Sequence, residues 1–289
     1  MNSNGVTTLP PGGDVDQPVA GGITVRDRRF PRDEPSRRWW LNNDPFATAI
    51  FNSLSLSFPR GEAYFVESVK AFRDGTPPHL ADEIRKFVSQ EVNHSREHVA
   101  FNRAVEGAGY EVAHLDAAVA EILAVGKDRP PIINLAATMA LEHFTAMFAH
   151  LLLVDGRFLG SDDDGPAALW RWHAIEEIEH KAVAYDTFLN ATRGWPRFRR
   201  WKLKAIMMLI ASKNFLRLRY AAAIDLLAQD GITGFRAHWG VIRYALLSPG
   251  LLRKIVPAWL SYFLPGFHPW NHDDRHLVSG DKANAPPLV

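Results

Sequence analysis

Glu91-Val92-Asn93-His94 and Glu177-Ile178-Glu179-His180 are the two stretches on which the fold turns. In each, a Glu is followed three residues later by a His, within a segment of helical periodicity. Spacing of i, i+3 sets the carboxylate and the imidazole on one helical face, about a turn apart. One further Glu precedes each pair at a similar distance, Glu62 before the first and Glu142 before the second. Two such sets, each drawn from a pair of helices, can enclose two metal ions inside a four-helix bundle.

Around these stretches the chain reads as helix throughout. Asp44-Pro45 is a start signal, a capping carboxylate followed by Pro at the first helical position. Pro59 restarts that helix ahead of Glu62, which runs to Arg73 and the Asp74-Gly75 break. A long helix is expected over 79–107, where Leu80, Ile84, Phe87, Glu91, His94, His98 and Phe101 recur at steps of three and four. Ionisable groups thus share the stripe that should face the core, whereas a surface helix would set them off it. Residues 111–125 form a short helical link, and 132–154 an almost wholly apolar helix in which Glu142-His143 is the ionisable pair of the first half. A fourth helix is expected from Pro166 to about Asn190, through His173, Glu177 and His180. Further helices are expected over 197–228, 232–246 and 249–263. The fold class is therefore all-α: a four-helix metal-binding bundle over 36–194 with a basic, aromatic C-terminal helical extension over 195–270. Residues 1–35 read as a disordered or extended segment, loosely attached, and 271–289 as a polar tail.

Composition narrows the chemistry. Hydrophobic residues at 47% and charged residues at 22% fit a soluble globular protein. With no Cys, disulfides, thiolate nucleophiles and sulfur-ligated metals are excluded. A metal must be held by His and carboxylates, which favours iron, manganese or zinc. The first 22 residues lack the apolar stretch of a signal peptide, and no uninterrupted apolar run reaches the roughly 18 residues of a spanning helix. A cytoplasmic location is the expectation.

In the metal reading Glu91 and Glu177 bridge two ions, His94 and His180 are terminal ligands, and Glu62 and Glu142 complete each ion. His173, Glu177 and His180 stand at i, i+4, i+7, so His173 is a candidate third imidazole. His98 holds the equivalent place after His94. Either could instead support a ligand through a hydrogen bond. His143 follows Glu142 directly, roughly 100° round the helix, and is expected to face elsewhere. The bland alternative is a set of salt bridges on solvated faces, for which Glu176-Glu177-Ile178-Glu179-His180-Lys181 could pass. The apolar surroundings of Glu142 argue against it, since a lone carboxylate there would be costly to bury or would be protonated.

The pattern of Glu62, Glu91-x-x-His94, Glu142 and Glu177-x-x-His180 resembles the ferritin-like di-iron superfamily. More narrowly, Phe-Pro-x-Gly-Glu at 58–62 and Trp-His-x-x-Glu-Glu-x-Glu-His-Lys at 172–181 look like a bacterial family of predicted metal-dependent hydrolases, over roughly 35–270. His173 is also similar to the extra imidazole of di-iron arylamine N-oxygenases, whose substrate does not carry over because nothing outside the ligands matches. The resemblance implies O2 chemistry at two Fe ions, oxidising a small apolar molecule with an electron donor. Hydrolysis by a water activated between two metals, with Mn or Zn as alternative ions, is the competing expectation. A non-catalytic helical protein that binds membranes or partners is the third.

Nine of the 33 Lys and Arg fall between residues 193 and 219, a stretch without acidic residues. Its Trp195, Phe198 and Trp201 suggest either an interfacial helix on anionic lipid, through 195–219, or a covering helix that meets an acidic partner subunit in a homodimer. Nucleic acid is not an expected partner, because the apolar fraction exceeds what a phosphate-tracking surface needs.

Overall fold

A computed structural model describes residues 22–31, 37–160 and 165–282. Among them every regular element is helical, as the periodicity predicts. In chain order these are α1 (Pro45–Ser55), α2 (Phe58–Lys70), α3 (Pro78–Gly107), α4 (Ala113–Ala124), α5 (Pro131–Val154), α6 (Gly165–His180), α7 (Val183–Ala191), α8 (Arg197–Gln229), α9 (Gly234–Ile242), α10 (Leu251–Ser261) and α11 (Arg275–Lys282). Asp44 caps α1 as expected, its carboxylate accepting from the backbone N–H groups of Phe46 and Ala47. Prolines sit in the first turns of α2, α3 and α5, where a missing N–H breaks no helical bond.

The bundle that matters for function is α2, α3, α5 and α6. Helix α2 packs on α3 and α5, and α6 packs on α5 and α3, closing a ring of four. Its interior carries Leu80, Ile84, Phe87, Leu135, Met139, Trp172 and Ile178, all essentially inaccessible to solvent. The link α4 carries the chain from α3 to α5. Helix α8 lies against α5 and α1 and covers the bundle from one side.

Four expectations are corrected. The fourth helix does not run unbroken to Asn190: it stops at His180 and resumes as α7. At the break the Lys181 ammonium turns to the Asp274 carboxylate at 2.8 Å and the His272 carbonyl at 2.6 Å, the pairing that a buried charge requires. Residues 22–31 of the leading segment are extended but not loosely attached, because Ile23 and Arg26 are buried; residues 1–21 and 32–36 lie outside the described residues. Within the polar tail, 275–282 form α11 on α6 and α5, anchored by buried Asp274 and Val278. The segment expected over 232–246 divides into α9 and a π-helical stretch, Arg243–Leu247.

Among the described residues one helix, α5, is long and apolar enough to cross a membrane, despite its interruption by Glu142 and His143; 67% of its apolar window is buried inside the protein. Exposed apolar side chains concentrate elsewhere, in the C-terminal extension: Phe198, Trp201, Leu209, Phe235, Trp239 and Leu260 among them, with Phe235 81% exposed.

Candidate metal centre

Each helix of the ring delivers its acidic and imidazole groups to one interior point. Helix α2 brings Glu62, α3 brings Glu91 and His94, α5 brings Glu142, and α6 brings His173, Glu177 and His180. None is more than 4% exposed. Two triads form: Glu62, His94 and His173, then Glu91, Glu177 and His180, with the candidate ligand atoms of each within 4.8 Å of one another. Glu142 Oε2 stands 3.6 Å from His180 Nε2 and so adjoins the second triad. Glu91 and Glu177 face both triads: His94 Nδ1 lies 3.7 Å from Glu91 and 3.8 Å from Glu177, while His173 Nε2 is 2.8 Å from Glu177.

One inward pair is hydrogen-bonded, His173 Nε2 with Glu177 Oε1; the other inward atoms do not satisfy one another. Glu62 Oε1, both oxygens of Glu91 and of Glu142, Glu177 Oε2, His94 Nδ1 and His180 Nε2 are buried without a hydrogen-bond partner. His180 Nε2 stands 3.1 Å from Glu91 Oε1, yet the two are not aligned as donor and acceptor. Buried carboxylates in this condition cost several kcal/mol each. Lone pairs that converge on a common point, and not on each other, are the arrangement a cation satisfies.

Hydrogen bonds on the outer side of each ring assign the tautomers. His94 Nε2 lies 3.1 Å from Glu176 Oε2, so it carries the proton and leaves Nδ1 as the inward lone pair. His180 Nδ1 donates to Gln90 Oε1 at 2.9 Å, because the Gln90 amide nitrogen is engaged with the Thr24 carbonyl and Glu179. A longer relay orients His173. The Ser55 hydroxyl donates to Asn102 Oδ1 at 2.6 Å, so it accepts from His98 Nδ1 at 2.8 Å. His98 Nε2 then accepts from His173 Nδ1 at 2.7 Å, and His173 Nε2 is left facing the carboxylates. His98 is thus a support of His173 in this arrangement. Burial, reinforced by His173 and His94, pushes the His98 pKa far down, which keeps that ring neutral.

Electrostatics divide the acids. Burial, then the neighbouring carboxylates, pushes Glu62 and Glu142 well above the usual carboxyl range. Burial also acts on Glu91 and Glu177, but hydrogen bonds and charge from His180 with His94 or His173 outweigh it and hold both below that range. Against the pull of burial, Glu176 and Glu91 push His94 up to about 10. Glu177 and Glu91 likewise raise His180. Two divalent cations would displace these protons, and their charge would balance the four carboxylates. The donor set of carboxylates and imidazoles suits such ions.

The sequence did not point to the ring of supports. The run Glu176 to His180, which could pass for a solvated face, is buried from end to end. Glu176 accepts from the indole of Trp172 at 3.1 Å and from the Arg26 backbone N–H at 3.2 Å. Glu179 takes two bonds from the Arg26 guanidinium, at 2.9 and 3.0 Å, and one from the Thr24 N–H at 3.0 Å. The leading segment thereby closes one side of the centre. A buried partner for the extra glutamates was the missing signal, and it lay in a segment whose composition reads as disordered.

His143 stands apart, 3.1 Å from the Ala258 carbonyl and with its ring tilted against that of Tyr262. A third acid–imidazole group, His150, His272 and Asp274, is already neutralised by Lys181.

No curated protein and no solved structure matches this chain. A sequence family does, across residues 24–273, a span that contains all seven converging side chains. The chain belongs to the family described as "predicted metal-dependent hydrolase".

Proposed function

We propose that this chain is an enzyme whose dinuclear metal centre is held by Glu62, Glu91, His94, Glu142, His173, Glu177 and His180, and that it hydrolyses a small, largely apolar substrate. The observation that carries the reading is the set of buried, unpartnered carboxylate oxygens and ring nitrogens aimed at one point. The family description supports hydrolysis over the alternatives. Bound divalent cations would supply Lewis acidity and lower the pKa of a coordinated water. The protein's part is to hold each imidazole in one tautomer, to bring Glu91 and Glu177 within reach of both triads, and to wall the site with apolar groups. Alternation of a Glu helix with a Glu-x-x-His helix, twice over, supports a ferritin-like bundle.

One observation favours a second reading, O2-dependent oxidation at two Fe ions with an external electron donor. A small chamber of about 40 Å³ beside His173 and Glu177 is lined by Phe51, Phe58, Phe148 and Trp170, a surface suited to an apolar gas or substrate. Metal analysis of protein purified without added ions separates the two. About two Zn or Mn per chain, with no absorption band when Fe(II)-loaded anaerobic protein meets O2, is the expected result. Two Fe with such a band would replace hydrolysis by oxidation, and retention of no metal would remove both.

The C-terminal extension bears on where the substrate is met. Its exposed Phe198, Trp201, Phe235 and Trp239 stand among basic side chains, a combination that supports peripheral contact with an anionic lipid surface.

A further inference from the structure

A second, larger chamber of about 390 Å³ lies outside the first, between α1, α5, α8, α10 and the stretch from α9 into the π-helix. Its volume falls within the roughly 300–1,000 Å³ of small-molecule sites. The two chambers share Leu54, Phe148, Phe215 and Leu251 as walls, so the larger space adjoins the one beside His173 and Glu177. At the other side, Leu216, Tyr220, Ile242 and Leu246 line the outer chamber and are also exposed, which opens it to the surface.

The lining is apolar apart from Ser53, Tyr220 and two arginines, Arg217, which is exposed, and Arg219, which is half-buried. Arg219 Nη1 is buried and hydrogen-bonds to nothing, and no acidic residue lines this chamber. Burial draws its pKa down to about 10, which leaves the guanidinium charged at neutral pH. A guanidinium nitrogen buried in apolar surroundings without a partner opposes folding, and an anion bound there would relieve that cost. Arg219 follows Phe215 by one helical turn on the same face of α8; Phe215 borders both chambers and Arg219 the outer one alone. An anion paired with Arg219 therefore sits at the end away from the carboxylate cluster, and an attached chain runs past Phe215 toward His173. A guanidinium matches a carboxylate through two parallel hydrogen bonds.

We propose that the outer chamber binds a long-chain monocarboxylate, its carboxylate on Arg219 and its hydrocarbon directed toward the inner chamber. The pocket and its anion anchor stand on their own; only the placing of the chain's far end beside bound metal ions rests on the dinuclear reading.

Calorimetric titration of the full chain with dodecanoic acid and with dodecanol tests this. Wild type should bind the acid roughly tenfold or more tighter than the alcohol. Arg219→Met should bind the two alike, with alcohol binding intact and an unfolding midpoint, without ligand, equal to or above that of wild type. Ala245→Trp, which fills the chamber, should lose both. Failure of wild type to bind either compound, equal binding of the two by wild type, or a preference that survives in Arg219→Met would overturn the proposal. A lower midpoint for ligand-free Arg219→Met would do the same, by marking the residue as structural. Metal content measured on the same preparations keeps the readings distinct. An acid preference in protein that retains no metal sinks the dinuclear reading alone, and metal without the preference sinks this one.

Discussion

His98 never faces the carboxylates, yet it decides which nitrogen His173 offers them. His98→Phe removes the acceptor of the His173 Nδ1 proton and lets that ring turn. Metal affinity should fall about 10- to 100-fold, as for other partners of ligating imidazoles, with helix content unchanged. Chelator competition followed by circular dichroism checks it, and His143→Phe, outside the cluster, should leave affinity as it was. The imidazoles that converge here, with Glu91 and Glu177, were legible from spacing, because i, i+3 and i, i+4 offsets fix which side chains share a helical face; Glu62 and Glu142 were legible from their place in the repeated plan of two helices. Their hydrogen-bond partners were not. Ser55, Gln90 and Asn102 are ordinary polar residues, and what makes them supports is the meeting of α1 with α3 and of α3 with α6, which no local pattern encodes.

Elements were legible where a start or stop signal stood beside the periodicity. Helices α1, α3 and α5 begin within a residue or two of their expected positions, since a Pro in the first turn is a signal independent of tertiary context. The break after His180 was not legible: no Gly or Pro marks it, and the partner of Lys181 at the break, Asp274, lies far along the chain. That pair also gives a pH dependence. The His150 and Lys181 partners outweigh burial and lower the Asp274 pKa to about 2, from 3.8. A depressed carboxylate stabilises the fold at pH values above 3.8, and the contribution is lost as pH falls through about 2. Asp274→Asn should therefore cost about 3 kcal/mol at pH 7, by stranding Lys181, and the gap to wild type should close between about pH 4 and pH 2. Urea unfolding of both proteins across that range measures it. Arg26 offers the parallel case on the leading segment. Its guanidinium pairs with buried Glu176 and Glu179, so Arg26→Met should lower stability by about 3–5 kcal/mol in the same assay.

At the scale of the whole molecule, apolar surface is unevenly shared. The acidic bundle exposes few large hydrophobic side chains, all of them Val, and the basic extension displays many, aromatic ones included. Flotation with vesicles of anionic lipid should recover the protein at low salt. Recovery should fall as salt rises, and should be small with neutral vesicles. Phe235→Ser with Trp239→Ser should reduce it severalfold; equal recovery on both lipids, or none on either, would remove the lipid reading. Net charge over the full chain, only +1, gave no hint of this division; the local density of Lys and Arg did.

The clamp that Thr24 and Arg26 place on α6 has a practical bearing on how the protein is handled. A crystallographer who trimmed the gene to begin at Arg37, on the strength of its glycine- and proline-rich opening, would delete the cover over Glu176 and Glu179. Two acids would then open to solvent, one a turn before His180 and one directly preceding it, and such a trimmed protein would misrepresent the ion affinity of the intact one.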